Sequence, residues 1–232
     1  MKNIYCLLIV SFLCIFSLLP AGAQTLSEKD FQVLNMNDGL SDNDIHSVAK
    51  DTEGFMWFGT GSGLNRYDGR TFKVFRMPGI SYRRIDRVVS LDTDYLLLRS
   101  EQNLFLFDKK YERFLPVCDS VSKQPVMFAD FVADSDGSCW GVSSGELSEV
   151  NFPSSFVQDT AFVSVRHVVN NSQSDPFVVL CMGEDGKMLY CASRNGTVYR
   201  FTPGQRQLKK VCDGQLSSGR WVSSLLNDDS FI

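Results

Sequence analysis

Gly39 to Gly69 reads GLSDNDIHSVAKDTEGFMWFGTGSGLNRYDG. Its apolar residues come in short alternating runs, punctuated by Thr52–Glu53–Gly54, Gly61–Ser62–Gly63 and Asp68–Gly69–Arg70. Alternation between turn residues is the pattern of half-buried strands; a helix would repeat its apolar positions every 3.6 residues. The spacing predicts strands near 45–51, 55–60, 64–68 and 71–76, joined as a four-stranded antiparallel meander.

The pattern recurs along the chain. Arg87–Asp92 followed by Tyr95–Leu98 is a second copy, with Asn103–Asp108 standing where Leu64–Asp68 stood. Phe131–Gly141, with its turn at Asp136–Gly137, is the third. Val179–Tyr190 is the fourth, with a turn at Gly183–Gly186 and a second turn at Asn195–Gly196, a strong type I′ hairpin signal. Gly137 lies two periods of about 41 residues beyond Gly54, and Gly186 falls later, which places an insertion near Asn170–Pro176. Four strands per unit at a period of about 40 to 50 residues define an all-β fold, a β-propeller of four-stranded antiparallel blades. Blades are expected near 31–76, 83–117, 127–160 and 177–212. A fifth begins near 220, because Trp221–Ile232 lines up with Ile45–Met56 and stops at the first strand. The expectation is an incomplete propeller, the N-terminal part of a longer chain.

The composition fits a globular domain: 232 residues, 44% hydrophobic, 12% aromatic, with 7 prolines. The net charge is −4 and there is no basic run, which argues against nucleic acid as a partner. Met1–Lys2–Asn3 supplies a charged start, Ile4–Leu19 carries no charge, and Ala21–Gly22–Ala23 offers small residues before a cut between Ala23 and Gln24. This is the three-part secretory signal, and the apolar run is shorter than the roughly 20 residues a spanning helix needs. Residues 1–23 are therefore read as a signal peptide and 24–232 as an exported, periplasmic partial propeller. Two of the 7 cysteines, Cys6 and Cys14, fall in that leader. The rest form no metal-ligand spacing, and no cofactor or metal site is expected. Cys181 and Cys191 flank one turn, so a bridge across that hairpin stays open.

The first unit resembles the two-component regulator propeller repeat. The resemblance is carried by Gly39–Leu40–Ser41, Ile45–Val48, Asp51–Thr60 and Gly63–Gly69. It implies the periplasmic sensor region of a hybrid two-component system histidine kinase, responsive to glycan fragments. In such proteins a signal peptide, two propellers, an immunoglobulin-like linker and a membrane helix precede kinase, receiver and DNA-binding regions. The implied partners are an oligosaccharide and the remaining blades and signalling domains of a longer protein, with a homodimer as a further candidate. His46 and His167 are the only histidines, and neither lies in a helical phospho-acceptor context, so no kinase activity is expected of these residues.

The repeat motif comprises Asp51, Gly54, Trp57, Gly59, Gly63, Leu64, Arg66, Tyr67 and Asp68, echoed by Gly137, Trp140 and Gly186. Trp57 and Trp140 each follow a turn glycine by three positions, and packing between blades accounts for such recurrence better than sugar stacking does. Asp51, Asp92 and Asp134 are expected to cap their turns. A sialidase-like glycosidase is the enzyme alternative, but its box sets aspartate two residues before glycine, and here the interval is three. Arg83, Arg84 and Arg87 cluster without forming a recognisable triad, and no Ser–His–Asp arrangement is legible. The expectation is a non-enzymatic sensor, with a free-standing secreted binding propeller as the other reading; the ligand-binding residues, on variable loops, are not legible.

Overall fold

The computed structural model describes residues 32–79, 84–133, 139–153, 156, 159–170, 175–183 and 187–214. The cleavage pair Ala23–Gln24, Arg83, Asp134, Gly137, Gly186 and the fifth-blade segment from 220 onward lie outside the described residues. Met1–Leu34 and Asn35–Ile232 separate as two units, and the architecture below is that of the second.

Among the described residues, sixteen strands form four consecutive meanders. The first holds β1 (Ile45–Lys50), β2 (Met56–Thr60), β3 (Gly63–Tyr67) and β4 (Phe72–Phe75). The second holds β5 (Arg87–Ser90), β6 (Tyr95–Ser100), β7 (Asn103–Asp108) and β8 (Arg113–Asp119). The third holds β9 (Asp130–Ala133), β10 (Cys139–Ser143), β11 (Glu146–Asn151) and β12 (Ala161–Asn170). The fourth holds β13 (Phe177–Met182), β14 (Leu189–Ser193), β15 (Val198–Thr202) and β16 (Gln207–Cys212). The fold is the all-β propeller architecture.

Three features depart from the sequence reading. The third unit does not end at 160: its outer strand β12 begins at Ala161 and runs to Asn170. Ser164–Asn170 pairs with β11, while Ala161–Val163 overruns that partner and pairs in parallel with Val117–Asp119 of β8. The second and third blades thereby fuse into one eight-stranded sheet. Ala161 and Val163 are buried with Val117 in the core between the two blades, which is what draws the overrun across. Second, the Asn195–Gly196 turn is not type I′, because Gly196 has φ +90° while Asn195 is not left-handed. The Gly196 amide donates to the Ser193 carbonyl, and the Asn195 carboxamide oxygen accepts from the Thr197 amide. The loop is therefore a four-residue turn closed by a left-handed glycine. Third, Cys181 pairs with Tyr190 and Cys191 with Leu180. An offset of one residue puts the two side chains on opposite faces of the sheet, so this hairpin does not join them.

Each gap between blades has its own core. Trp57, Leu64, Phe75, Ile85, Val88 and Phe107 fill the first. Leu97, Leu106, Leu115, Val117, Phe131 and Val150 fill the second, and Trp140, Val142, Leu147, Phe177, Leu189 and Phe201 the third. Leu96, Leu97 and Leu98 are all fully buried because the second sheet is covered on both faces, which replaces alternation with a continuous apolar run.

Cys191 illustrates how closed these interfaces are. Burial pushes its thiol from 9.0 up to about 12. At pH 8 only about one part in ten thousand is then thiolate. We expect a thiol-disulfide reagent at pH 8 to label exposed Cys212 promptly and Cys191 only on unfolding. The unfolded thiol titrates first, so the stability from burying it is present below pH 9 and is lost as pH rises toward about 12. Equal labelling rates at the two cysteines would contradict this packing.

Candidate functional site

The described motif residues are held in structural contacts, and their geometry explains the pattern. The Asp51 carboxylate caps its turn, one oxygen accepting from the Glu53 and Phe55 amides, both at 3.0 Å. Its other oxygen accepts from Trp57 Nε1 at 2.8 Å and lies 3.6 Å from Lys109 Nζ of the second blade. Both of those charged side chains are nearly inaccessible, so the carboxylate is spent entirely on holding turn, indole and neighbouring blade together. Trp57 stacks on Phe75 and meets Phe107 edge-on, and Trp140 packs against Phe201. Neither indole is available for a sugar. Arg66 lies over the Phe55 ring at 4.7 Å, and Tyr67 packs on Phe72. Asp68 caps the next turn, and hydrogen bonds from the Thr71 and Arg70 amides hold its carboxyl below the usual range. The Asp92 carboxylate caps its own turn by accepting from the Asp94 and Tyr95 amides.

The motif glycines answer to close approach. A Cβ on Gly59 would stand 2.7 Å from the Ile85 carbonyl oxygen, so a side chain there would wedge the first two blades apart. Gly63 has φ +137° and would meet the Phe75 carbonyl at 2.6 Å, and Leu64 beside it is fully buried.

The open chemistry lies elsewhere, where the first strand of every blade converges. His46 of β1, Arg87 and Val89 of β5, Asp130 and Val132 of β9, and Val178–Met182 of β13 surround a groove of about 610 Å³. That volume falls in the range of small-molecule sites. Val178–Met182 of β13 contribute an apolar edge, and Arg84, Asp86, Arg87, Arg99 and Asp130 supply the charge. No aromatic side chain lines it among the described residues. Asp130, 6% exposed, accepts from the Leu180 amide at 2.9 Å and pairs with Arg87 at 3.2 Å, tying β13 and β5 to β9. Asp86 pairs with Arg84 at 2.5 Å and accepts from the Glu101 amide. Burial holds the Arg99 guanidinium below its ordinary pKa, opposed by Asp130 and Asp86.

Arg84 and Arg87, singled out in sequence, thus do come together, and Arg99 completes the set. Arg99 was hidden in the apolar run Tyr95–Ser100; only its register opposite Arg87 reveals it. A serine–histidine–acid cluster also exists, contrary to the sequence reading. His167 Nδ1 lies 2.9 Å from Ser148 Oγ and 3.1 Å from Glu146. Both partners use the same ring nitrogen, so the imidazole cannot relay a proton from serine to acid, and the contacts only link β11 to β12. Among the described residues no group of His, Cys, Asp and Glu is placed to hold a metal ion.

Comparison with known proteins agrees with this architecture. Residues 39–62 match the family model described as two component regulator propeller. The extracellular domain of a hybrid two component system from B. thetaiotaomicron superposes with TM-score 0.57 at 16% identity, over 78% of this chain and 26% of that one. The extracellular domain of a one component system from the same organism gives 0.56 at 17% identity, over 78% and 27%. A curated protein of Formosa agariphila, Histidine kinase P4, is 37% identical over 78 residues, which is 33% of this chain and 5% of that protein. The match to the repeat lies in the first blade, and the likeness to the extracellular domains is one of fold. The chain spans about a quarter of the solved chains and a small fraction of the curated relative.

Proposed function

We propose that these residues form the ligand-sensing propeller of an exported two-component signalling protein, with a glycan fragment as ligand and the groove between the inner strands as its seat. The observation that carries this reading is the two component regulator propeller match at residues 39–62, set in a fold shared with extracellular domains of bacterial regulatory systems. On this reading the chain is not an enzyme, and phosphoryl transfer and DNA binding belong to other parts of a longer protein. The groove agrees with a binding role: it is of ligand size, and both of its carboxylates, Asp86 and Asp130, are held in ion pairs with Arg84 and Arg87. Export rests on the leader, and no helix among the described residues is long and apolar enough to cross a membrane.

The test is a thermal-shift survey of the full chain against oligosaccharides of differing charge and linkage. Protection by one class supports the reading, and uniform indifference across a broad panel argues against it. Export has its own measurement: the mass of the chain recovered from the periplasm should correspond to a start at Gln24, and a mass retaining residues 1–23 would reject cleavage.

A further inference from the structure

We infer that the groove holds an anion-binding subsite formed by Arg87 and Arg99, which takes a carboxylate or sulfate group carried by the ligand. The two arginines are directly opposite each other across the β5–β6 ladder, so their side chains leave the sheet on the same face. Like charges in that position repel, and both side chains line the groove. Their compensation is incomplete. Arg87 pairs with Asp130, whereas Arg99 makes no ion pair among the described residues, and the Nε of each arginine is buried without a hydrogen-bond partner. Asp86, the other nearby carboxylate, is engaged by Arg84 and by the Glu101 amide. Asp130 and Asp86 act on Arg99 without touching it, so this partly buried guanidinium lacks a directly bonded counter-ion, which a ligand anion can supply. A planar, multi-donor group of this kind suits a carboxylate or sulfate, which can take two hydrogen bonds at once.

The rest of the groove narrows the class of ligand. With no aromatic platform among the described lining residues, stacking on a neutral sugar ring has no partner there. The β13 residues offer apolar contact, and Arg87 and Arg99 offer charge. A ligand with a nonpolar ring face and one acid group satisfies both, which describes a uronic-acid or sulfated oligosaccharide. This last step rests on the glycan-sensing reading; the anion subsite itself does not.

The experiment measures binding of three probes to the full chain by calorimetry at fixed ionic strength: an oligogalacturonide, a sulfated oligosaccharide, and the oligogalacturonide with its carboxyls reduced to alcohols. Simple sulfate is titrated alongside. At least one acidic oligosaccharide should bind, weaken as salt rises, and lose tenfold or more in affinity in Arg99→Met, while Arg113→Met on the outer strand leaves it unchanged. The two acidic arms distinguish carboxylate from sulfate as the source. Because Arg99→Met could perturb folding, Arg99→Lys and the Arg99 Nε–H resonance of the unaltered protein are followed too. That resonance should move on adding sulfate. Equal binding of the reduced and acidic oligosaccharides overturns the subsite while leaving glycan sensing intact. Sulfate shifts at Arg99 with no oligosaccharide bound keep the subsite and overturn the glycan reading. No response of Arg99 to any anion overturns the subsite outright.

Discussion

Replacing Trp57 by alanine is expected to remove about 4 kcal/mol of folding stability, the scale measured for emptying a buried aromatic site. The indole is 1% exposed, and its ring contacts with Phe75 and Phe107 join the first blade to the second. Little around it can collapse into the space, because Leu64, Ile85, Leu96 and Leu98 are already fully buried. The substitution also strips a charge-assisted hydrogen bond from the Asp51 carboxylate, which has no water to turn to. Set against the usual 5–15 kcal/mol of a domain, such a loss takes a large share.

The two contributions can be separated. Trp57→Phe keeps most of the buried ring but not the donor, and should cost about 1.5–3 kcal/mol. Asp51→Asn leaves Lys109 without its buried counter-charge. In a cycle with Trp57→Phe the two changes should be non-additive by about 1 kcal/mol, since both act on one carboxylate oxygen. Denaturant midpoints at unchanged slope provide the measurement. A midpoint for Trp57→Ala within ~0.5 kcal/mol of the parent would mean that the indole is not a blade-to-blade contact after all.

The parts that were legible in the sequence are those fixed by local chemistry. Turn aspartates, glycines and alternating strands are written within a few residues of one another, so Asp51–Gly54–Trp57 declares both its hairpin and its repeat. Pairings between blades carry no such local mark. The overrun of Ala161–Val163 onto β8 depends on the length of β12 relative to β11, which no single stretch encodes. The groove was opaque for a related reason. His46, Arg87, Asp130 and Leu180 are far apart in the chain and meet only because each sits on or beside the inner strand of its blade. Arg84 and Arg87 stood out as neighbours in sequence, but the arginine opposite Arg87 is set by register, and register appears only once the β5–β6 turn is placed.

That convergence makes Asp130 the most consequential polar side chain of the groove. Asp130→Ala is expected to cost about 2–4 kcal/mol. An orphaned buried amide at Leu180 accounts for about 1–3 kcal/mol of this. Loss of the Arg87 pair adds less than a fully buried bridge would, since the Arg87 side chain is 36% exposed and solvent screens it. Asp130→Asn retains an acceptor for Leu180 but not the charge, and should recover roughly the amide share. Hydrogen exchange locates the effect: the Leu180 amide should lose protection in Asp130→Ala and keep most of it in Asp130→Asn. The charge component responds to added anion. With Asp130 gone, Arg87 loses its ion-pair partner and Arg99 keeps only the influence of Asp86, so sulfate should restore part of the lost stability while chloride at equal ionic strength does not. Should Asp130→Ala prove neutral, or sulfate and chloride act alike on it, the inner strands would be held by apolar packing alone, and the charged residues of the groove would have no part in joining the blades.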